Sequence, residues 1–340
     1  METRSLSHPR RRTAAILGVA LLVLCLAWLL WLRLGARDAS PHRESRVVVH
    51  GVPVDVLDWG GEGPSLTFIP GFGNTAHIFD DFAPRFVDRF RVVGITRVGF
   101  GASDPPKEGY EIASRVEQIR AVLDALGIAR TVLVGHSLGG DELTAFAGTY
   151  PERTAGLIYL DAATDHVKAL QWEDTLARYA TGAPAPSLFD KMGPRAYQRL
   201  TERQTGVRYP LGEILATTRF HWTGWAAGST TPPWVFEATR AAVQSPDYSR
   251  VHAPALALCS EWDTAADILP WLRNDPAANA RATAALRKKV LPESLAERAR
   301  FVREIQGAQI VTLRAHHYSF LSHPQEVELR MRGFLASLPG

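Results

Sequence analysis

The residues with the plainest chemical meaning are Gly135-His136-Ser137-Leu138-Gly139, a G-x-S-x-G run. Alone the pattern decides little, because average glycine and serine usage would produce it in roughly one chain in ten of this length. Its surroundings make it specific. The apolar run TVLV (131–134) precedes it and the helical run ELTAFAGTY (142–150) follows, so Ser137 falls on a strand-to-helix turn, where this motif exposes a nucleophile. Such a turn is strained and needs small neighbours, supplied by glycines at 135, 139 and 140. The Leu138 backbone N–H, at the start of the helix, is then placed to donate to a developing oxyanion. The competing reading is a glycine-rich turn carrying an incidental serine.

A nucleophile on a turn needs a scaffold, and the chain alternates in the way that builds one. VVVH (47–50) and VDVLDW (54–59) read as an opening antiparallel pair. SLTFIP (65–70), RVVGIT (91–96), TVLVGH (131–136), GLIYLD (156–161), ALALCS (255–260) and QIVTLR (309–314) follow. Short apolar runs of this kind are strands covered on both faces. Between them, Val116, Ile119, Val122, Leu123 and Leu126 form a helical stripe within 112–126. The predicted fold is α/β: a mostly parallel, eight-stranded sheet flanked by helices, with its site at the carboxyl ends of the strands. From Thr164 to Arg250 no buried strand is evident, and aromatics crowd the interval: Trp172, Tyr179, Phe189, Tyr197, Tyr209, Phe220, Trp222, Trp225, Trp234, Phe236 and Tyr248. We read this insertion as a helical lid over the strand ends; packing against the outside of the sheet is the alternative.

With these elements in place, five motifs in order carry a resemblance to the α/β-hydrolase superfamily, in particular its lid-bearing serine esterases: IPGFGN (69–74), RVGFGAS (97–103), GHSLGG (135–140), LCSEWD (258–263) and HHYSFLSHP (316–324). The resemblance extends from about residue 47 to 337. It implies that Ser137 is the nucleophile, His317 the base and Asp263 the acid, in the superfamily's chain order. His317 precedes Pro324 by the seven residues such relatives keep before their last helix, here EVELRMRGFL (326–335). His316 is the rival for the base, and Asp161, ending GLIYLD, the rival for the acid. Glu261 reads as solvated and His323 as a surface residue. By the same analogy the Phe72 amide is the second oxyanion donor beside Leu138, although Pro70 stands where relatives usually carry His. The interval from Asp263 to His317 is long for this family, and implies two extra helical turns or a small helical hairpin around 277–304.

Other polar residues receive plainer readings. Asp141 opens a helix, where a negative charge is favourable. His77 lies after the oxyanion turn, facing either substrate or solvent. His221 and Trp222 belong to the lid, and Arg287, Lys288 and Lys289 form a solvated helix face. No metal-ligand spacing is evident among the histidines, so no metal or other cofactor is predicted.

The N-terminus is a separate region. Ala14 to Leu32 carries no charge and would span about 28 Å as a helix, close to the ~30 Å hydrocarbon core of a bilayer. Arg10, Arg11 and Arg12 precede it; Trp28, Trp31 and Arg33 mark its far end. We expect residues 1–13 to be a cytoplasmic basic tail, 14–32 a transmembrane signal-anchor and 33–45 a linker. Residues 46–340 would form an extracytoplasmic hydrolase domain with its lid at about 164–250. Secretion after cleavage is the alternative, weakened by the long apolar core and the lack of a good small-x-small site. Residues 1–40 contain six Arg against two acids, whereas the rest of the chain has 32 basic and 33 acidic residues. The main domain therefore offers no electrostatic reason to expect nucleic acid. Its two cysteines, Cys25 and Cys259, lie far apart and in different regions, and are not expected to pair.

The function implied is hydrolysis of a small-molecule carboxylic ester with an apolar portion through an acyl-enzyme. Rivals sharing the triad are a C–C bond hydrolase, a perhydrolase and an acyltransferase. A catalytically silent receptor or interaction domain is the rival of a different class. An Asp-nucleophile dehalogenase or epoxide hydrolase is disfavoured by Ser137.

Overall fold

The computed structural model describes residues 9–35, 37–178 and 182–339; the side chains of 9–12, 14, 29–35 and 172–177 lie outside the description. Eight strands form one sheet in the order β1 (Arg43–Val49), β2 (Val52–Gly60), β4 (Arg91–Ile95), β3 (Ser65–Ile69), β5 (Thr131–His136), β6 (Thr154–Leu160), β9 (Ala255–Glu261) and β10 (Gln309–Arg314). β1 pairs antiparallel with β2 and β2 antiparallel with β4, while the pairings from β4 to β10 are parallel. All eight apolar runs singled out from the sequence lie on these strands. Burial on both faces is visible along β5, where Val132 and Val134 join one core layer and Leu133 the other, as the two-residue repeat of a strand requires.

One layer contains the apolar faces of α2 (Ile112–Ala125) and α3 (Gly139–Thr149); the other contains Phe79, Phe82, Phe86, Phe320 and the inner face of α10 (Pro324–Ser337). The one-turn helix α9 (Ser319–Ser322) leads into α10. The interval from 164 to 250 holds α4 (His166–Ala177), α5 (Pro194–Thr205), α6 (Leu211–Thr217), α7 (Pro233–Ala241) and a small antiparallel hairpin, β7 (Thr218–Phe220) with β8 (Ala226–Ser229). Two of the aromatics assigned to the lid, Tyr179 and the Trp172 side chain, lie outside the described residues. Others reach the sheet edge: Phe236 of α7 packs on Phe72 and Phe100 at ring-centroid distances of 5.6 and 5.4 Å.

Between β9 and β10 the structure departs from the expected hairpin. A single helix, α8, runs from Pro276 to Glu304, capped by Asp275, whose side chain accepts from the Ala278 N–H at 2.9 Å. Its Ala-, Arg- and Glu-rich sequence has high helix propensity, so Pro292 removes one backbone bond without ending it. Ala282, Leu286 and Val290 cover a small cluster around Ala265, Ala266 and Leu272. Phe301 is fully buried against Tyr159 and Tyr248.

At the N-terminus, α1 spans Pro9–Gly35. Residues 1–8 of the expected basic tail, the side chains of Arg10–Arg12, and those of Trp31 and Arg33 lie outside the described residues. Among the described residues no helix is long and apolar enough to cross a membrane. The transmembrane assignment made from 14–32 is therefore not supported there.

The burial of Phe301 makes α8 part of the core instead of an appendage. Phe301→Ala is expected to cost about 3–5 kcal/mol, read from the shift of a urea unfolding midpoint at constant slope; a loss below about 1 kcal/mol would show α8 to be peripheral.

Candidate active site

Ser137 adopts φ = +50°, one of three non-glycine residues with positive φ among those described. A second is Asp161, at φ = +48°. The pairing of β5 with β6 relates them: Gly135 is level with Tyr159 and His136 with Leu160, so the next step sets Ser137 beside Asp161. The Ser137 N–H donates to the Leu160 carbonyl at 3.2 Å. Left-handed backbone costs on the order of 1–3 kcal/mol at a residue with a Cβ and persists where surrounding contacts enforce it. Two adjacent strands thus each end in a kink at the same level.

His317 enters from the loop after β10. Its Nδ1 lies 2.7 Å from Asp161 Oδ2, and Asp161 Oδ1 accepts the Ser260 N–H at 2.8 Å. The His317 carbonyl lies 3.2 Å from His136 Nε2, and the two rings are 4.6 Å apart, which fixes the loop against the residue preceding Ser137. A carboxylate on Nδ1 selects the imidazole tautomer with Nε2 free to accept a proton, and stabilises the imidazolium that follows.

Asp263, assigned from sequence as the acid, does not reach this histidine. Leu160 is level with Leu258, so Asp161 is level with Cys259, and β9 runs on to Glu261 before turning. Asp263 therefore lies beyond a strand end that is itself two residues, about 7 Å, past that level. A capping box formed by Thr264 and Asp267 shapes the turn there. The Asp263 carboxylate is largely exposed and 3.5 Å from Arg314. The correction is that Asp161, the rival for the role, holds the position against His317.

His316 points elsewhere. Its Nδ1 accepts the Tyr318 N–H at 3.1 Å and its carbonyl accepts from the Ser260 hydroxyl at 2.9 Å. Burial, helped by the neighbouring His317, lowers its pKa to about 4. His136 is fully buried, and burial holds its pKa well below 6.5. Glu261 is exposed at the end of β9, and His323 precedes α10.

The turn carrying Phe72 lies directly over the serine. A Cβ built on Gly71 would stand 3.1 Å from Ser137 Cβ and 2.8 Å from His136 Nδ1, so only glycine permits this approach. Arg97, buried and unassigned by the sequence reading, holds the turn: its guanidinium donates to the Gly71 carbonyl at 2.8 Å and also to the Pro70 carbonyl. Its Nε pairs with Glu142, which also accepts from Arg115 at 3.1 Å. Glu142 lies in the first turn of α3, which begins immediately after Leu138. The two amides at 72 and 138 are thereby tied to one buried ionic group. The signal available in the sequence was an arginine within the quoted RVGFGAS motif.

Three minor residues are placed as follows. Asp141 lies in the first turn of α3 as expected, but is buried and accepts from His166 Nδ1 at 2.7 Å; burial raises its pKa. Trp222, in the turn between β7 and β8, is 75% exposed. His77 faces neither substrate nor solvent. It is buried among Asp38, His42 and Asp80, four side chains whose ligand atoms lie within 4.8 Å of one another. Burial alone would depress the His77 pKa, but hydrogen bonds to Asp38 and Asp80 outweigh it and hold the value at about 10. Among the described residues this group is the one able to hold a metal ion, contrary to the expectation of no metal drawn from histidine spacing.

Comparison with known proteins agrees with the architecture. The family described as "alpha/beta hydrolase fold" matches residues 64–201. An uncharacterized protein of Mycobacterium tuberculosis is 32% identical over 126 residues, covering 37% of each chain. The 2-(acetamidomethylene)succinate hydrolase of Mesorhizobium japonicum is 31% identical over 129 residues, covering 38% of this chain and 46% of that one. The chain thus matches less than half the length of these curated relatives. Among solved structures, an E-2-(acetamidomethylene)succinate hydrolase superposes with a TM-score of 0.63 at 20% identity, over 87% of this chain and all of the other; at that identity the likeness establishes the fold.

Two outcomes follow from the geometry. Asp161→Asn should lower the rate of Ser137 labelling by a fluorophosphonate by about 10³–10⁴, as expected when the imidazole loses its orienting carboxylate, whereas Asp263→Asn should change it less than about threefold; the reverse ranking would restore Asp263. A second outcome concerns acid stability. The His316 pKa is lower in the folded chain than the 6.5 of a free imidazole, so the unfolded chain binds more protons and stability is lost as pH falls from 6.5 toward 4. His316→Asn should flatten the dependence of the urea midpoint on pH across that window, and an unchanged slope would contradict the assignment.

Proposed function

Because the chain belongs to the α/β-hydrolase superfamily, we propose that it is a serine hydrolase that cleaves small carboxylic esters through an acyl-enzyme. The observation that carries the proposal is the strained Ser137 level with Asp161 on the next strand, whose carboxylate lies 2.7 Å from His317 Nδ1. In this reading Ser137 Oγ attacks the ester carbonyl carbon while His317 Nε2 takes its proton. The carbonyl oxygen gains the negative charge and accepts hydrogen bonds from the backbone N–H groups of Phe72 and Leu138. Collapse of the tetrahedral intermediate breaks the ester C–O bond, and the imidazolium gives its proton to the departing alcohol. Water, deprotonated by His317, then attacks the acyl-serine and releases the acid and free enzyme. Asp161 keeps the imidazole oriented and stabilises its charged form throughout.

Several features support an apolar portion in the substrate. The rings of Phe72, Phe100 and Phe236 pack at 5.4–6.4 Å beside the Gly71 turn, forming an aromatic wall next to the proposed oxyanion donors. Such a wall rewards burial of alkyl or aryl groups at about 25 cal/mol per Å². For location, we propose that α1 attaches the domain to a membrane. Ile16, Leu17, Val19, Leu21, Leu22 and Leu24 are each more than half exposed, an apolar surface that water does not favour.

A fluorophosphonate probe tests both parts on the full chain in isolated cell fractions. Wild type is expected to label and Ser137→Ala to lose at least 99% of the signal, with the labelled band remaining in the membrane pellet after alkaline carbonate. Equal labelling of wild type and Ser137→Ala would end the serine-hydrolase reading, and a band wholly in the supernatant would end the anchoring. A panel of p-nitrophenyl esters should show the rate rising from acetate to medium-chain acyl groups; failure on all of them despite labelling would redirect the search to C–C bond substrates.

A further inference from the structure

The four side chains Asp38, His42, His77 and Asp80 come from two separate stretches of chain. Asp38 and His42 belong to the extended segment after α1, four residues apart, while His77 and Asp80 belong to the loop between β3 and β4. His77 Nδ1 is 2.8 Å from Asp80 Oδ2 and 3.6 Å from Asp38 Oδ2. His42 Nδ1 is 3.1 Å from Asp80 Oδ1 and its Nε2 is 3.9 Å from Asp38 Oδ2. We propose that these residues form a four-coordinate site for a divalent transition-metal ion, with Zn²⁺ the best fit, that fastens the segment after α1 to the hydrolase domain.

The donor set, two imidazoles and two carboxylates, suits zinc and carries a charge of about −2 when the imidazoles are neutral. Zinc bonds of about 2.0–2.1 Å separate tetrahedral ligands by about 3.3 Å, and the four ligand atoms, one from each residue, already lie within 4.8 Å of one another, so modest side-chain shifts would close the site around an ion. The site also has its supporting contacts. The Trp59 indole N–H donates to Asp80 Oδ1 at 3.0 Å within the core, orienting that carboxylate. The Ser40 N–H donates to Asp38 Oδ1 at 2.9 Å, leaving Oδ2 for the cluster.

A second observation bears on the site. The His42 side chain is 9% exposed, and its Nδ1, 3.1 Å from Asp80 Oδ1, is buried without a hydrogen bond. A buried imidazole nitrogen in that state costs free energy, which coordination to an ion would offset. The roof of the site is Gly212 of α6, where a Cβ would meet His77 Nδ1 at 2.8 Å and press on Asp38 and Asp80. Glycine there lets α6 approach the four donors closely.

Bound metal would join three pieces that the sequence separates: the segment after α1, the loop following the oxyanion turn, and the α6 end of the lid. With every coordination position supplied by protein, the site is structural and closed, not a source of activated water. It lies outside the Ser137 machinery, so metal binding and serine labelling are separately readable.

The full chain, purified in mild detergent and stripped with a chelator, should take up about one Zn²⁺ per polypeptide and retain it through gel filtration. Its melting temperature should rise with the logarithm of added Zn²⁺. Co²⁺ in place of zinc should give the intense visible bands of a four-coordinate ion. The double substitution Asp38→Asn with His42→Gln, in the segment outside the core, should abolish uptake and the thermal shift while fluorophosphonate labelling of Ser137 persists. His42→Cys should retain Co²⁺ and add a sulfur-to-metal charge-transfer band. The proposal is overturned if the wild-type chain takes up no stoichiometric metal, or if uptake is unchanged in the double variant. Bands typical of a six-coordinate hydrated ion would also overturn it, as surface binding.

Discussion

The buried ionic group of Arg97, Glu142 and Arg115 is the constraint on which the site geometry rests. Charges out of water persist where pairing and hydrogen bonds satisfy them, and a guanidinium has five donors in a fixed fork to do so. Arg97 spends its donors on Glu142 and on the carbonyls of Pro70 and Gly71. Those carbonyls belong to the peptide units just before Phe72, so fixing them sets the direction of its N–H. Glu142 lies in the first turn of α3, where a negative charge also complements the helix end. One carboxylate therefore couples the helix that follows the serine to the turn above it. The turn and the helix are thereby held at a fixed separation, the kind of preorganisation that electrostatic stabilisation of a transition state requires.

Strand register supplies the other half of the geometry. Ser137 and Asp161 leave the sheet at one level on neighbouring strands, each with left-handed backbone. The Ser137 and Asp161 N–H groups donate to carbonyls of the next strand, at Leu160 and Leu258, so the kinks are held by ladder bonds that continue past the regular strands. A histidine arriving from the loop after β10 meets the Asp161 carboxylate at that level. The order of side chains across the sheet edge is thus a consequence of parallel pairing between β5, β6, β9 and β10.

This explains which parts were legible in the sequence. The eight strands were readable because burial on both faces leaves continuous apolar runs, and the serine turn because glycine spacing and a strand-to-helix switch coincide. Asp263 was favoured over Asp161 as the partner of His317 because sequence order does not reveal how far one strand outruns another. Asp161 and Asp263 both follow apolar strands, and the register shows which is level with Ser137. The Arg97 group was hidden because its members are at 97, 115 and 142, with no periodicity linking them. The Asp38–His42 and His77–Asp80 pairs were hidden for a similar reason: neither stretch alone presents a metal-ligand spacing, and the fold alone unites them. The hairpin allowed for around 277–304 proves to be one continuous helix, because the interval was read without the core that Phe301 enters.

The lid is not uniformly a cover that can lift away. Glu213 of α6 accepts from the Asn74 amide at 2.8 Å and from the Thr75 N–H and hydroxyl, so a buried carboxylate grips the residues that follow the Gly71 turn. Burial pushes its pKa up to about 7 against those hydrogen bonds. Asn74 in turn accepts from the Tyr318 hydroxyl at 3.0 Å, one residue past His317. Pulling α6 away would strand a carboxylate, an amide and a hydroxyl without partners, a larger penalty than separating apolar faces of similar area. The inner part of the insertion therefore belongs to the rigid framework, as does Phe236, which packs on the oxyanion turn itself. The outer part differs in its surface: Trp222, Leu188 and Phe189 expose large apolar side chains, and the β7–β8 tip is tied to the rest of the insertion by backbone contacts, from the Gly193 N–H to the Gly224 carbonyl at 2.8 Å and between Met192 and Trp225.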